Sequence, residues 1–487
     1  MKLAILSLTL LLPLYARAQQ AVPPPKREPD RMTAVKPGPA KHFDVAPIKK
    51  GLLRNGVELA LMELHRLPLV AVNIVLPLGG SALDAPGKSG LAELVASLVT
   101  EGSGAMTGLQ FAQALDDIGA SIYVGVSNDA LTVAVFAAKE NIGKALSLAS
   151  QAIYSPSLPQ ADFDRIKAEM TAGLEQEKGS PGGQAEKKLA LRLYPGHPYG
   201  TSPDEGSVAS LTLADVQDFV KNRFNPPGAI IAAGGDLEYP EFEKLVTAHF
   251  DSWRTQAGAV LPSPPAAPSG QAVQRGLVID LIDMPGSLQS SIRAGQNGVT
   301  RDNPDYMALA VMNSLLGQSS IISRLGKNLR EAHGWTYGAS SDLSTRKLSS
   351  ALLIETDVQT DATEPAVTEI LKELHRLRDE TVPVAELDSI KRFMAGLFIL
   401  RQQTVQALAS QASTIELYGL PDGELSSYRD RVMAVTPQQI QDVAIKYLHP
   451  ERLHVVITGD AAKVSKSLSK IGEVREYDSE GRPKPLG

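Results

Sequence analysis

Imidazole is the soft metal ligand this chain has to offer: its 487 residues include 8 histidines and no cysteine. That composition removes thiolate zinc sites, iron–sulfur centres, disulfide frameworks and cysteine nucleophiles together. The histidines are His42, His65, His197, His249, His333, His375, His449 and His454. No pair has the i, i+4 spacing that puts two imidazoles on one helical face, or the i, i+2 spacing of one strand face. His449 and His454 lie closest, but Pro450 separates them onto different elements, so no metal site of the chain's own is expected. Gly87-Lys88-Ser89 invites a phosphate-loop reading, yet the first glycine of G-x-x-x-x-G-K-[ST] falls on Ala82. No serine sits in a G-x-S-x-G elbow. With 48 Lys+Arg against 54 Asp+Glu, a formal charge of −6, nucleic acid is not an expected partner.

The elements that would have to position any site are legible through an internal repeat. Thr212 to Asp218 leads through Phe224-Asn225-Pro226 to the apolar run Ala229 to Ala233 and then Gly235-Asp236. Thr436 to Asp442 leads through Leu448-His449-Pro450 to Leu453 to Ile457 and Gly459-Asp460, and every pair is offset by 224 residues. The same offset relates Pro159 to Pro383, Phe163 to Leu387, Ile166 to Ile390 and Lys167 to Lys391. Two copies of one domain follow. Each reads as strand, helix, strand pair, helix, long helix, helix, strand, helix. In the first copy Val70 to Leu76 is a strand, Gly90 to Val99 a helix, and Ala120 to Val126 with Ala130 to Phe136 a hairpin. Thr212 and Thr436 are N-caps, Pro437 suits a first helical turn, and Pro226 and Pro450 end those helices. The fold class expected is α+β: two homologous domains, each an antiparallel sheet with helices packed on one face.

Lys2, the largely apolar Leu3 to Leu14 and Ala16-Arg17-Ala18 read as a cleavable secretory signal over residues 1–18. Its loss takes Lys2 and Arg17 and shifts the net charge from −6 to −8. The apolar run is short for a membrane span, so an exported protein without stable membrane insertion is expected, periplasmic in a Gram-negative source. A Pro-rich leader (19–43), a first domain (44–253), a Pro/Ala/Ser linker (254–275), a second domain (276–477) and a loose tail (478–487) complete the division.

This duplicated plan resembles the pitrilysin/insulinase-type zinc peptidases, particularly the short two-domain bacterial members and the mitochondrial processing peptidase subunits. The residues carrying the resemblance are Leu78-Gly79-Gly80-Ser81, Gly87-Lys88-Ser89-Gly90-Leu91-Ala92, His197-Pro198-Tyr199-Gly200 and the stretch Ser323 to Gly338, which includes Leu329-Arg330-Glu331-Ala332-His333-Gly334-Trp335-Thr336-Tyr337. Active members carry H-x-x-E-H, two histidine ligands and a glutamate base, on the helix that follows. Here those positions fall on Glu93, Ala96 and Ser97. The family's third ligand, a glutamate, would lie between Ala172 and Glu175, with Gly173, Leu174 and Glu175 all open as its counterpart.

The resemblance also implies roles for an Arg and a Tyr seven residues apart, and Arg330 and Tyr337 match that spacing. Locally, Leu325 to His333 reads as helical, Gly334 as the C′ residue and Trp335 onward as a strand. Arg330 would hold a substrate carbonyl and Tyr337 would donate to the developing oxyanion. An Arg that complements a helix C-terminus and a Tyr that opens a strand would look the same. The implied function is a non-catalytic, Arg/Tyr-bearing subunit of a heterodimeric zinc metallopeptidase, paired with a homologous H-x-x-E-H subunit that holds the zinc and acting on peptide substrate. The alternative is a structural scaffold or peptide-binding homologue with no role in proteolysis.

Overall fold

The computed structural model describes residues 43–484 apart from 264, 267 and 269–275. The signal segment, residues 19–42 of the leader with His42, linker residues 264, 267 and 269–275, and residues 485–487 lie outside the described residues. From Asp44 onward the chain forms one unit built around two six-stranded sheets.

The first sheet runs, in spatial order, Ile48–Leu52, Glu58–Glu63, Ile230–Gly235, Leu69–Leu76, Leu131–Ala138, Ser121–Val126. The second runs Glu473–Tyr477, Val278–Asp283, His454–Gly459, Gln289–Asn297, Ala351–Gln359, Ala339–Ser344. Five positions correspond one to one, and the sixth edge comes from opposite ends of the chain. The architecture is α+β as expected, but the sheets are mixed: Glu58–Glu63 pairs parallel with Ile230–Gly235, and Val278–Asp283 lies parallel to both its neighbours. The returning strand reaches its place by a helical crossover, which delivers it parallel.

The 224-residue register extends well beyond the stretches that reveal it. Helices Gln160–Lys178, Pro181–Leu193 and Leu213–Arg223 begin 224 residues before Val384–Leu400, Val405–Tyr418 and Pro437–Tyr447. Thr212 and Thr436 are the N-caps predicted, each closing a reciprocal box with Asp215 or Gln439, a device worth about 1 kcal/mol.

Helices do not stay on one face of each sheet. Leu91–Leu98, Ile142–Tyr154, Leu213–Arg223 and Tyr239–Phe250 cover one face of the first sheet in a single core with Val72, Ile74 and Val133. The opposite face is covered by Val405–Tyr418 from the second half, whose Leu408 and Ala412 pack on Ala60, Val75 and Ala232. Reciprocally, Pro181–Leu193 of the first half sets Ala185, Leu189 and Leu193 against Ile282 and Val456 of the second sheet. The two equivalent helices are exchanged. Ile230–Gly235 is accordingly buried at every position, as a strand covered on both faces must be.

The expected loose tail instead turns back over residues 478–484. The Lys484 amide donates to the Glu476 carbonyl at 2.9 Å, and Lys484 Nζ reaches Asp283 Oδ2 at 2.6 Å.

Candidate functional site

Helix Leu91–Leu98 opens after Gly90, whose φ of +96° is a left-handed conformation that favours glycine. Its Leu91, Ala92, Leu94, Val95, Ala96 and Leu98 are buried, so the helix is fixed by the core. Asp84 Oδ2 accepts from the Ala92 amide at 3.1 Å, and Asp84 Oδ1 takes Arg223 Nη1 at 3.1 Å. The three motif positions on this helix offer one carboxylate and no imidazole. Ala96 presents a methyl group, and Ser97 Oγ donates back to the Glu93 carbonyl at 3.1 Å. Glu93 is largely buried, its Oε2 has no hydrogen-bond partner, and burial raises its pKa. It faces a cavity of about 440 Å³ shared with Leu174, Glu177, Glu186, Tyr199 and Arg346.

Of the positions open for a third ligand, one turns into that cavity. Leu174 lines it, whereas Glu175 is exposed and pairs with Lys178 at 3.1 Å. A carboxyl, a methyl, a hydroxyl bound to its own helix and a leucine do not fit a tetrahedral zinc ion.

Among the described residues one group, Glu63, His65 and Glu238, has ligand atoms close enough to share an ion. Its atoms are already engaged. Glu63 Oε1 takes Lys49 Nζ at 2.5 Å and the Tyr239 amide at 3.0 Å, and His65 Nδ1 is 2.6 Å from Asp236 Oδ1. The bond to Asp236 raises the His65 pKa, favouring imidazolium, which is no ligand. The group is an exposed ion-pair network. His197, by contrast, is buried, accepts from the Tyr199 amide at 3.1 Å, and has its pKa lowered by burial. His333 stacks on Trp335 with ring centroids 4.0 Å apart.

Arg330 and Tyr337 lie in one helix-to-strand return. The helical turn is wider than the sequence suggests: Gly326–Ala332 is π-helical, and the His333 amide reaches the Asn328 carbonyl at 3.1 Å. Such turns are rare and concentrate at functional sites. Gly334 takes φ +66°, and the Trp335 amide closes the end on the Leu329 carbonyl at 3.0 Å. The next strand starts at Ala339, not Trp335. Thr336 Oγ1 accepts from the Gly338 amide at 3.0 Å, and this local turn keeps Tyr337 in the loop. The segment is pinned from beneath: Arg324 makes two 2.9 Å bonds to Glu386, and Asn328 Nδ2 donates to Glu369 and Glu373 at 2.7 and 2.9 Å.

On this fixed base the two side chains are free. Tyr337 is 96% exposed and Arg330 is exposed, and neither side chain has a hydrogen bond or ion pair among the described residues. Neither lines the Glu93 cavity. The structure thus groups Glu93 with Leu174 and separates them from Arg330 and Tyr337.

Sequence reasoning missed the residues that join the halves beside that cavity. Asp129, at the hairpin turn, is bonded by the Tyr199 hydroxyl, by the Lys347 amide at 2.8 Å and by the Tyr418 hydroxyl at 3.2 Å. Arg346 Nη1 donates to the Tyr199 carbonyl at 3.0 Å. The segment His197 to Gly200 was the available signal.

Comparison with known proteins finds two matching family models. Residues 65–199 match the model of the insulinase family, peptidase family M16, and residues 210–394 match the model described as the peptidase M16 inactive domain. A non-peptidase homologue, YmxG of Helicobacter pylori, is 23% identical over 78% of this chain and 86% of its own length. The zinc protease PqqE of the same organism is 23% identical over 70% of this chain and 76% of that protein. A probable mitochondrial-processing peptidase subunit beta of Arabidopsis thaliana is 20% identical over 78% and 72% of the two chains. Among solved structures, a Pseudomonas fluorescens peptidase M16 inactive domain superposes with a TM-score of 0.78 at 25% identity, covering 85% of this chain and 98% of that one. With family models matching residues 65–199 and 210–394, the chain belongs to the insulinase family, peptidase family M16.

Proposed function

We propose that this chain is the Arg/Tyr-bearing, non-catalytic subunit of a heterodimeric zinc peptidase, exported to the periplasm and completed by a homologous chain with H-x-x-E-H. The observation that carries the reading is the state of Arg330 and Tyr337: two interaction-prone side chains, exposed and unpartnered, on a rigidly pinned turn. Exposed Tyr and Arg are the residue types that dominate interfaces. In the assembled enzyme Arg330 holds a peptide carbonyl, and the Tyr337 hydroxyl donates to the oxyanion that develops at the scissile carbon. The first half supplies wall and partner surface. Zinc belongs to the partner, since the Glu93 helix has no ligand set for it.

Native co-purification followed by peptidase and metal assays on separate and mixed chains tests the assembly. The reading expects no zinc-dependent cleavage by this chain alone and cleavage by the mixture. Cleavage by this chain alone, or an inert complex, would overturn it, the latter in favour of a scaffold.

A further inference from the structure

A second cavity, of about 250 Å³, lies in the second half, away from the Glu93 and Arg330 sites. Its size is near the lower end of ordinary small-molecule pockets, which run from about 300 to 1,000 Å³. Its floor is apolar. Phe398 and Tyr428 stack with centroids 4.6 Å apart, and Ile415, Leu420 and Leu425 line the cavity beside them.

The polar lining is strongly biased toward cations. Glu424, only 6% exposed, is bonded by Arg301 Nη2 and by Arg431 Nη2, the latter at 2.6 Å. This one carboxylate cannot neutralise both guanidinium groups, and Arg401 adds a third. Arg401 is exposed and has no ion pair or side-chain hydrogen bond among the described residues. The Tyr428 hydroxyl likewise has no hydrogen-bond partner among them. Arg301 and Arg401 line the same cavity as Tyr428, and burial raises the Tyr428 pKa against the opposing pull of Arg401, Arg301 and Arg431. Two guanidinium groups in the lining, Arg301 and Arg401, one buried anion, a free phenolic donor and an apolar floor describe a site for an anion with a hydrophobic body. Planar guanidinium favours carboxylate among such anions.

We propose that this cavity binds small monocarboxylates with an apolar body, the carboxylate between Arg401 and the Tyr428 hydroxyl and the apolar part against Phe398, Ile415 and Leu425. Both short fatty acids and the C-terminal residue of a peptide have this chemistry. The Arg301–Glu424–Arg431 group around the buried Glu424 carboxylate positions the site, and Arg401 is the contact free to respond to ligand.

The test is calorimetric titration of the full chain with hexanoate and N-acetyl-leucine, each beside its neutral amide. At least one carboxylate is expected to bind with a Kd of about 1 mM or tighter, its amide at least tenfold more weakly. Arg401→Gln should reduce carboxylate binding to the level of the amide. Tyr428→Phe, which keeps the ring stack, should weaken it severalfold with the melting temperature preserved. Hexanoate binding alone would assign the site to fatty acids, and N-acetyl-leucine binding alone to peptide ends. Absence of binding by both carboxylates, equal binding of the amides, or an unchanged Arg401→Gln affinity would overturn the proposal.

Discussion

At the scale of single residues, Glu93 shows what replaces a metal ligand when no metal is held. Its carboxyl is largely buried, one oxygen is unpartnered, and burial raises its pKa above the usual carboxylate value. The folded state therefore binds this proton more tightly than the unfolded chain. The stability contribution is present below the unfolded pKa and is lost as pH rises through the folded one. Relative to Glu93→Gln, the wild type should lose thermal stability as pH rises through the carboxylate range towards neutrality; melting temperatures of both proteins across that range measure it. Asp84 differs in having a partner: burial raises its pKa too, to about 6, against the opposing pull of Arg223. Arg223→Met would leave it uncompensated and should cost about 3–5 kcal/mol, read by denaturant unfolding. The identity of the motif residues was legible from helix spacing alone, because Glu93, Ala96 and Ser97 are simply not imidazoles. Leu174 as the third-ligand counterpart was not, since a one-residue choice along a long helix is decided by which side chain turns into the cavity.

At the scale of elements, the helix exchange explains residues that the local pattern leaves unexplained. The run Ile230–Gly235 has no polar alternation because both faces are covered, and Gly234 stands where Val405–Tyr418 crosses it closely, whereas Gly235 lies against the Leu69 and Val70 backbone. A Cβ on Gly234 would meet the Val405 carbonyl at 2.5 Å, Leu408 Cβ at 2.7 Å and the Ala409 amide at 2.8 Å. Gly234→Ala should therefore destabilise by about 1–3 kcal/mol through overpacking. Gly173, on the exposed side of Gln160–Lys178, has nothing within 4 Å of its Cβ position. Gly173→Ala should stabilise by about 0.5–1 kcal/mol; parallel thermal melts distinguish the two glycines. Charge further separates the exchanged helices. Arg192 binds Asp280 at 2.5 and 3.1 Å, while Glu416, 224 residues on, takes Lys50 at 2.8 Å. Equivalent positions thus carry opposite charges, which disfavours each helix on the other's sheet. The repeat register, the caps and the hairpin were legible because they are local. The exchange, the parallel pairs and the covering of both sheet faces were not, because they depend on which distant element docks on a face. The π-helical turn escaped for a related reason: its width is set by the Arg324 and Asn328 anchors beneath it.

At the scale of the whole molecule, two six-stranded sheets locked by reciprocal helices form a rigid support for one exposed turn. Asp129 ties the halves directly, gathering Tyr199, Lys347 and Tyr418 from separate segments. No helix among the described residues is long and apolar enough to cross a membrane. In the proposed assembly Tyr337 acts in the partner's active site while this chain contributes no metal. The most direct measurement is turnover of a peptide by the assembled pair carrying Tyr337→Phe, with assembly checked by co-purification. Loss of one oxyanion donor costs on the order of 2.7–4 kcal/mol, so the account predicts a fall of at least tenfold with the complex intact. Unchanged turnover by an intact complex would contradict it.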